Sequence, residues 1–428
     1  MTGEQSFALR ASLGALCGLA TITAWPLAEK LRLSATTFSR LFLAFFALSR
    51  LGLFTIAMLI LRINPRGDIT LYMTEADHAP GHLVYRDFLT NHAPLSPYLL
   101  HTLLSLHHSP LTLILFSILC DIAAMGVWMQ AAPHFLNPIP LRRAALLVLC
   151  NPTSLLTVAI DGQLNSLVAL LLALAVYSLA TRPTSRPANA ITGALIALSA
   201  ATVRFTTLIY APGFLFASRR KLSALLTFLI VLIGIYAAFA LAGADITTPL
   251  RLEGPHKTAS NLIFLLELAT GHDLHLRLPI AILALSWLAV ITILFVSMKA
   301  ASSNQKHTLH ILTLSLVAEL LCIQIFSKNA WDRYLVMTMF SLCTLAAELP
   351  FRALVAFALW TITAALEPSY WATLTHSQPS LELHLLLIAR EPTALTLLSL
   401  ELLYVGGSIL FLIACLRRIL TLRSTAAR

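Results

Sequence analysis

Long, unbroken apolar runs separated by short polar intervals dominate this chain. The runs near 41–62, 109–131, 222–243, 278–298, 308–326 and 393–416 each hold roughly 20 residues, the length at which an α-helix crosses the hydrocarbon of a bilayer. Their apolar residues are continuous rather than alternating, which excludes a β-barrel. Lipid cannot hydrogen-bond a backbone, so such segments must satisfy their peptide groups within helices. The pattern predicts an all-α polytopic membrane protein.

The remaining segments follow from length and from where cations fall. Residues 7–28 are apolar but interrupted by Arg10, and fit either an interfacial helix or an extra span. No small-x-small cleavage site stands before the next charges, which argues against a signal peptide. Residues 94–106 are too short, at about 13, to cross alone and suit a juxtamembrane helix at the surface. The stretches 144–160 and 164–181 read as a pair of spans turning through Asp161-Gly162-Gln163-Leu164-Asn165. Residues 188–218 begin after Arg186 and end at Arg219, Arg220 and Lys221, so this stretch must go up and return, with its turning point near Arg204. Two shorter crossings flank Glu348–Arg352. Cations mark the cytoplasmic loops, which gives about 12 crossings with both ends of the bundle inside. Outer loops are then expected at 64–98, 244–277 and 367–391. The division is an N-terminal segment (1–40), a transmembrane core (41–350) and C-terminal helices with a basic tail (351–428).

Composition agrees with this pattern. Apolar residues make up 58% of the 428 and charged residues 11%, with a mean hydropathy of +0.82. Soluble domains carry about 25% charged residues, so no soluble fold fits. The net charge of +10 lies in short loops rather than one basic stripe, which excludes a nucleic-acid partner. The six cysteines all lie in apolar runs, without CxxC or Cys/His spacing, and read as small core residues.

The polar interval Asn64–Tyr98 stands out against this background. It carries Asp68, Glu75, Asp77 and Asp87, three histidines and two arginines at one membrane edge. Partial desolvation there would raise the pKa of Asp68 towards the range useful for a general base; the plainer reading is a solvated loop acid. Asp87 is the second candidate acid, or simply a local partner of Arg86. Glu75, Asp77 and His78 could bind Mg²⁺ or Mn²⁺, or form a solvated helix face. Asp161, Gln163 and Asn165 set polar groups between two apolar spans, where lipid would penalise them unless protein or water surrounds them. Arg204, between two half-length apolar segments, is a candidate grip for a phosphate, since a guanidinium never deprotonates and offers paired hydrogen bonds. Lys328 and Arg333, beside Trp331 and Tyr334, come to the same face, where interfacial anchoring is the alternative reading. A transporter would instead place ionisable groups at mid-membrane; Arg50, Asp121 and Glu319 are the candidates, and they look isolated.

The order of motifs GD…LY…VYRDF…PLSPYLL, NPTSLL…DGQLNSL, an apolar run closed by Arg204, and a late RY resembles the membrane-embedded glycosyltransferases of the C superfamily (GT-C). The likeness is greatest to the bacterial polyprenyl-phosphate-sugar-dependent mannosyltransferases of glycosyltransferase family 87 and related protein mannosyltransferases, over roughly residues 40 to 340. It implies a GT-C-like helical bundle with juxtamembrane helices in the first outer loop, a polyprenyl-phosphate sugar as donor, and inverting transfer to a lipid, glycan or protein acceptor outside the cytoplasm. Asp68 would be the general base and Asp87 a second acid. Arg204, Arg333 and Lys328 would hold the donor phosphate. Tyr72, Tyr85, Arg86, Asp161, Gln163, Asn165 and Tyr334 would contact substrate. The family often has GQxD where this chain has Gly162-Gln163-Leu164-Asn165, and often Lys where it has Arg204. Asn165 cannot act as a base, so these departures bear on substrate identity. The implied location is the bacterial inner membrane, with the site facing outward. The competing readings are a flippase or transporter of lipid-linked glycans and a non-catalytic scaffold.

Overall fold

The computed structural model describes residues 3–63, 65, 68–253, 258–301, 304–327, 331–375, 377 and 379–426, and these are helical throughout their ordered elements. The helices are α1 (Gly3–Lys30), α2 (Ala35–Phe54, prolonged by a π-helical turn to Ile60), α3 (Ile69–His78), α4 (Ser96–Leu104), α5 (Pro110–Ala131), α6 (Pro138–Leu149) and α7 (Pro152–Ala159). Then come α8 (Asn165–Thr181), α9 (Arg186–Thr202), α10 (Ala211–Ala217), α11 (Lys221–Leu241) and the loop helices α12 (Thr248–Glu253), α13 (Leu262–Thr270) and α14 (Leu274–Arg277). The chain ends in α15 (Pro279–Ala300), α16 (Gln305–Phe326), α17 (Met339–Glu348), α18 (Phe351–Leu374), α19 (Leu381–Arg390) and α20 (Ala394–Ala426). Eight helical segments among the described residues are long and apolar enough to cross a membrane. The protein is a multi-pass, all-α membrane protein.

Local chemistry sets several boundaries. Ser109 caps α5 at the Leu111 N–H and Ser185 caps α9 at the Ala188 N–H, each with proline in the first turn. Such caps satisfy donors that a helix start leaves open. The stretch expected as one span at 144–160 is instead two helices, α6 and α7. Pro152 is the cause: it has no N–H for the Val148 carbonyl and its ring crowds that turn. Asn151 restarts the helix by capping the Ser154 N–H at 2.9 Å.

Arg50 takes up the carbonyls this break releases. Its guanidinium donates to Val148 O at 3.2 Å, Leu149 O at 3.1 Å and Ser154 Oγ at 3.0 Å, pairs with Asp121 at 3.2 Å, and lies 3.8 Å from the Phe46 ring centre. Arg50 and Asp121 are therefore not isolated: they form one buried knot joining α2, α5 and the α6–α7 break.

The segment 7–28 traverses the bundle as α1. Arg10, near its start, reaches Asp161; Glu29, near its end, meets Arg143, which also lies 3.8 Å from the ring centre of Trp25. α1 packs along α18, where Gly14 and Gly18 admit Ile362. The outer loop expected at 367–391 also starts later. α18 runs through Pro368 to Leu374, and the burial of apolar residues on both sides of the proline, Ala364, Ala365 and Trp371, offsets the one hydrogen bond that proline forfeits. The apolar core is continuous from Phe38 to Ile419, with α16 buried along nearly its whole length. α11 and α15 instead present Leu226, Ile230, Ile280 and Leu288 outward, as lipid-facing helices do.

Candidate active site

The α9 helix ends at Thr202, and Arg204 follows in an extended backbone (φ −148°, ψ 133°) before a 3-10 turn, Phe205–Tyr210. The break comes where the length argument puts the turning point. It aims the guanidinium into the bundle end formed by α3, the 160–165 turn and the 3-10 turn Asp332–Thr338. Asp68 stands at the N-cap position of α3. Asp68, Tyr72 and Glu75 follow one another at i, i+4 and i+7, so all three lie on one face of that helix.

Two guanidiniums converge on Asp68. Arg204 Nη2 lies 3.0 Å from Oδ2 and Arg333 Nη2 lies 3.2 Å from Oδ1. Each arginine has other anchors. Arg204 Nη1 donates to the Tyr334 hydroxyl at 2.9 Å and sits 5.1 Å from that ring's centre. Arg333 lies 4.5 Å from the Trp331 ring centre, and its carbonyl accepts from Asn165 Nδ2 at 3.1 Å. The side chains of Asp68 and Arg333 keep 16% and 17% of their exposure, so the clamp is recessed and still open.

The expectation that the Asp68 pKa rises is overturned. Burial pushes it up, but Arg333 and Arg204 pull it further down, and it ends below the usual carboxylate value. Asp332, the residue beside Arg333, moves the other way. Burial raises it to about 7, against the pull of Arg333 and with a contribution from Asp161.

The other sequence candidates divide. Tyr72 is buried, with its hydroxyl 3.5 Å from Gln163 Oε1, and burial raises its pKa. Gln163 and Asn165 thus line the clamp. Asp161 is engaged by Arg10, which grips both its oxygens, at 2.9 and 2.6 Å. Asp87 is also drawn elsewhere. It is exposed, paired with Arg86 at 2.8 Å, and accepts from the Leu83 N–H at 2.7 Å; the hydrogen bond to Arg86, then the backbone one, hold it down to about 2. Arg86 donates to Ala242 O, and the Tyr85 carbonyl accepts from the Asp245 N–H, so both residues brace the loop after α3 against the loop after α11. Lys328 lies outside the described residues.

The proposed cation ligands do not converge. Glu75 is buried against His92, whose Nδ1 is 2.8 Å from Oε1, and against Thr90. Asp77 pairs with His108 at 2.7 Å, and His78 Nδ1 meets the Thr74 carbonyl. Glu75 is buried, whereas Asp77 and His78 are exposed, and each is engaged by its own partner. Among the described residues, Glu267, Asp273 and His275 are close enough together to hold a metal ion. Glu267 already accepts from the His275 backbone and ring, however, and Asp273 caps the Leu276 N–H.

Sequence reading missed Arg10, Thr90, His92 and Asp332. Only Arg10 left a signal, as the one charge inside the apolar run 7–28; the others look like ordinary loop residues until the fold buries them.

Fold and site together define a multi-pass helical membrane protein with a carboxylate clamped between two guanidiniums at one end of its bundle. No protein-family model matches the chain, and no curated protein matches it. Among solved structures, it is similar to the crystal structure of ArnT from Cupriavidus metallidurans bound to undecaprenyl phosphate, at 15% identity and a TM-score of 0.48, over 91% of this chain and 78% of that one.

Proposed function

We propose that this protein is an integral-membrane glycosyltransferase of the GT-C type. It moves a mannose-like hexose from a polyprenyl-phosphate donor to a lipid, glycan or protein acceptor on the extracytoplasmic face, probing the donor by its phosphate rather than by a nucleotide. The observation that carries this reading is the meeting of Arg204 and Arg333 on Asp68, residues far apart in sequence that converge on one partly exposed carboxylate.

In the reaction, an acceptor oxygen attacks the anomeric carbon from the face opposite the phosphate, and the bond from that carbon to the phosphate oxygen breaks. The configuration inverts. Asp68 takes the acceptor's proton, and the lipid phosphate departs with the bonding pair. Arg204 and Arg333 offset the charge that grows on it, where preorganised donors contribute most. Tyr334 and Asn165 hold these two arginines in place. Asp87 has no part, since its carboxylate is engaged in the loop. The transporter reading loses two of its three mid-membrane candidates, because Arg50 and Asp121 satisfy each other within the core; the third, Glu319, is buried and accepts from the Ser315 hydroxyl at 2.6 Å.

The test is a membrane assay with radiolabelled polyprenyl-phosphate hexoses and analysis of the labelled product. Wild-type protein should transfer label, and Asp68→Asn should reduce transfer at least about a hundredfold, the lower range for loss of a general base. Unchanged transfer in Asp68→Asn removes Asp68 from the chemistry.

A further inference from the structure

We infer that the Asp68 carboxylate sits in the seat of the donor phosphate, so that donor binding must displace it and thereby releases the base. This rests on the glycosyltransferase reading and adds an order of events to it: donor first, then acceptor.

The geometry of the clamp carries the argument. A guanidinium grips a carboxylate and a phosphate in the same way, through N–H groups directed at separate oxygens. Here the two Asp68 oxygens are divided, Oδ2 to Arg204 and Oδ1 to Arg333, as two oxygens of one phosphate would be. The seat does not depend on Asp68 for its shape. Tyr334 holds Arg204, while Trp331 and the Asn165 contact fix Arg333. Arg333 Nε is buried and has no hydrogen-bond partner among the described residues. A carboxylate has no third oxygen to offer that N–H. A phosphate does.

Charge supports the exchange. Two arginines supply two positive charges. A polyprenyl-phosphate hexose is a phosphodiester with one negative charge, and a displaced but nearby Asp68 supplies the second. After transfer, Asp68 holds the acceptor's proton and is neutral, while the phosphate leaves as a monoester with the extra charge. The balance against the arginines is the same before and after. The exchange also accounts for a base that is held too acidic while clamped. Once its carboxylate leaves the arginines, burial favours the proton, opposed only by the smaller pulls of His92 and Tyr72.

The experiment measures binding of undecaprenyl phosphate, and separately of inorganic phosphate, to the full-length protein in detergent. If Asp68 competes for the seat, Asp68→Asn should bind both ligands more tightly, by about tenfold or more, since each tenfold corresponds to only about 1.4 kcal/mol. Asp68→Ala serves as a second variant, should the amide disturb folding, and should show the same gain. Equal or weaker binding of undecaprenyl phosphate by both variants overturns the inference while leaving the enzyme reading intact. A gain confined to inorganic phosphate also overturns it, because the seat would then not admit a lipid-borne ester. Failure of wild type and variants alike to bind undecaprenyl phosphate sinks the donor assignment and this inference with it.

Discussion

Asp68 and Asp332 both neighbour Arg333, yet they shift in opposite directions. Asp68 meets two guanidiniums, which outweigh its burial; for Asp332 the pull of Arg333 is too small, and burial together with Asp161 wins. The consequences for stability differ in sign. Asp68 has a lowered pKa, so its contribution is present above the usual carboxylate value of 3.8 and is lost as pH falls through its folded pKa. Asp332 is raised from 3.8 to about 7, so the folded protein holds a proton that the unfolded chain has released. Stability from this group declines as pH rises from 3.8 to about 7 and then levels. Asp332→Asn should flatten that decline, with the melting temperature in detergent read at intervals from pH 5 to 8. An unchanged slope would show that Asp332 is not the titrating group. Of these residues, Arg204 was legible because a charge between two half-length apolar segments is costly unless used. Asp332 was not, because nothing local reveals what buries it.

At the level of helices, the α6–α7 break and the Arg50 knot form one device. Pro152 frees a carbonyl in the core, and an arginine from α2 and a carboxylate from α5 complete the hydrogen bonding there. Arg50→Met should destabilise the protein by about 3–5 kcal/mol, the cost of stranding a buried charge. Arg50→Met combined with Asp121→Leu should recover part of that loss, since no unpaired carboxylate remains. Thermal unfolding in detergent of both single variants and the pair gives the coupling, and additive losses would refute it. The sequence reading ran a single span through Pro152, and the arginine that completes the break lies about a hundred positions away, beyond the reach of any periodicity.

For the whole molecule, the path of α1 sets the relation between the two ends. Its Arg10 end lies with Asp161 and the clamp, and its Glu29 end lies with Arg143. Thr184, in the turn between α8 and α9, belongs to the opposite end from the loop that carries Thr270, and both are exposed. In a cysteine-free background, Thr270→Cys should react with a membrane-impermeant maleimide in intact cells, while Thr184→Cys should react only after lysis. The reverse pattern would put the clamp on the cytoplasmic side and remove the extracytoplasmic assignment.

The sequence by itself determined that the chain is helical and membrane-spanning, because burying so much apolar surface without charge leaves no other way to satisfy the backbone. It also located Asp68 and Arg204 as charges at the ends of apolar segments, where solvation is costly. Tertiary structure alone decided that these two meet, that Arg333 joins them, and that Asp161 and Asp87 turn to other partners. Ion pairing depends on distances of a few ångströms between helices distant in the chain, and those are fixed by packing rather than by local pattern.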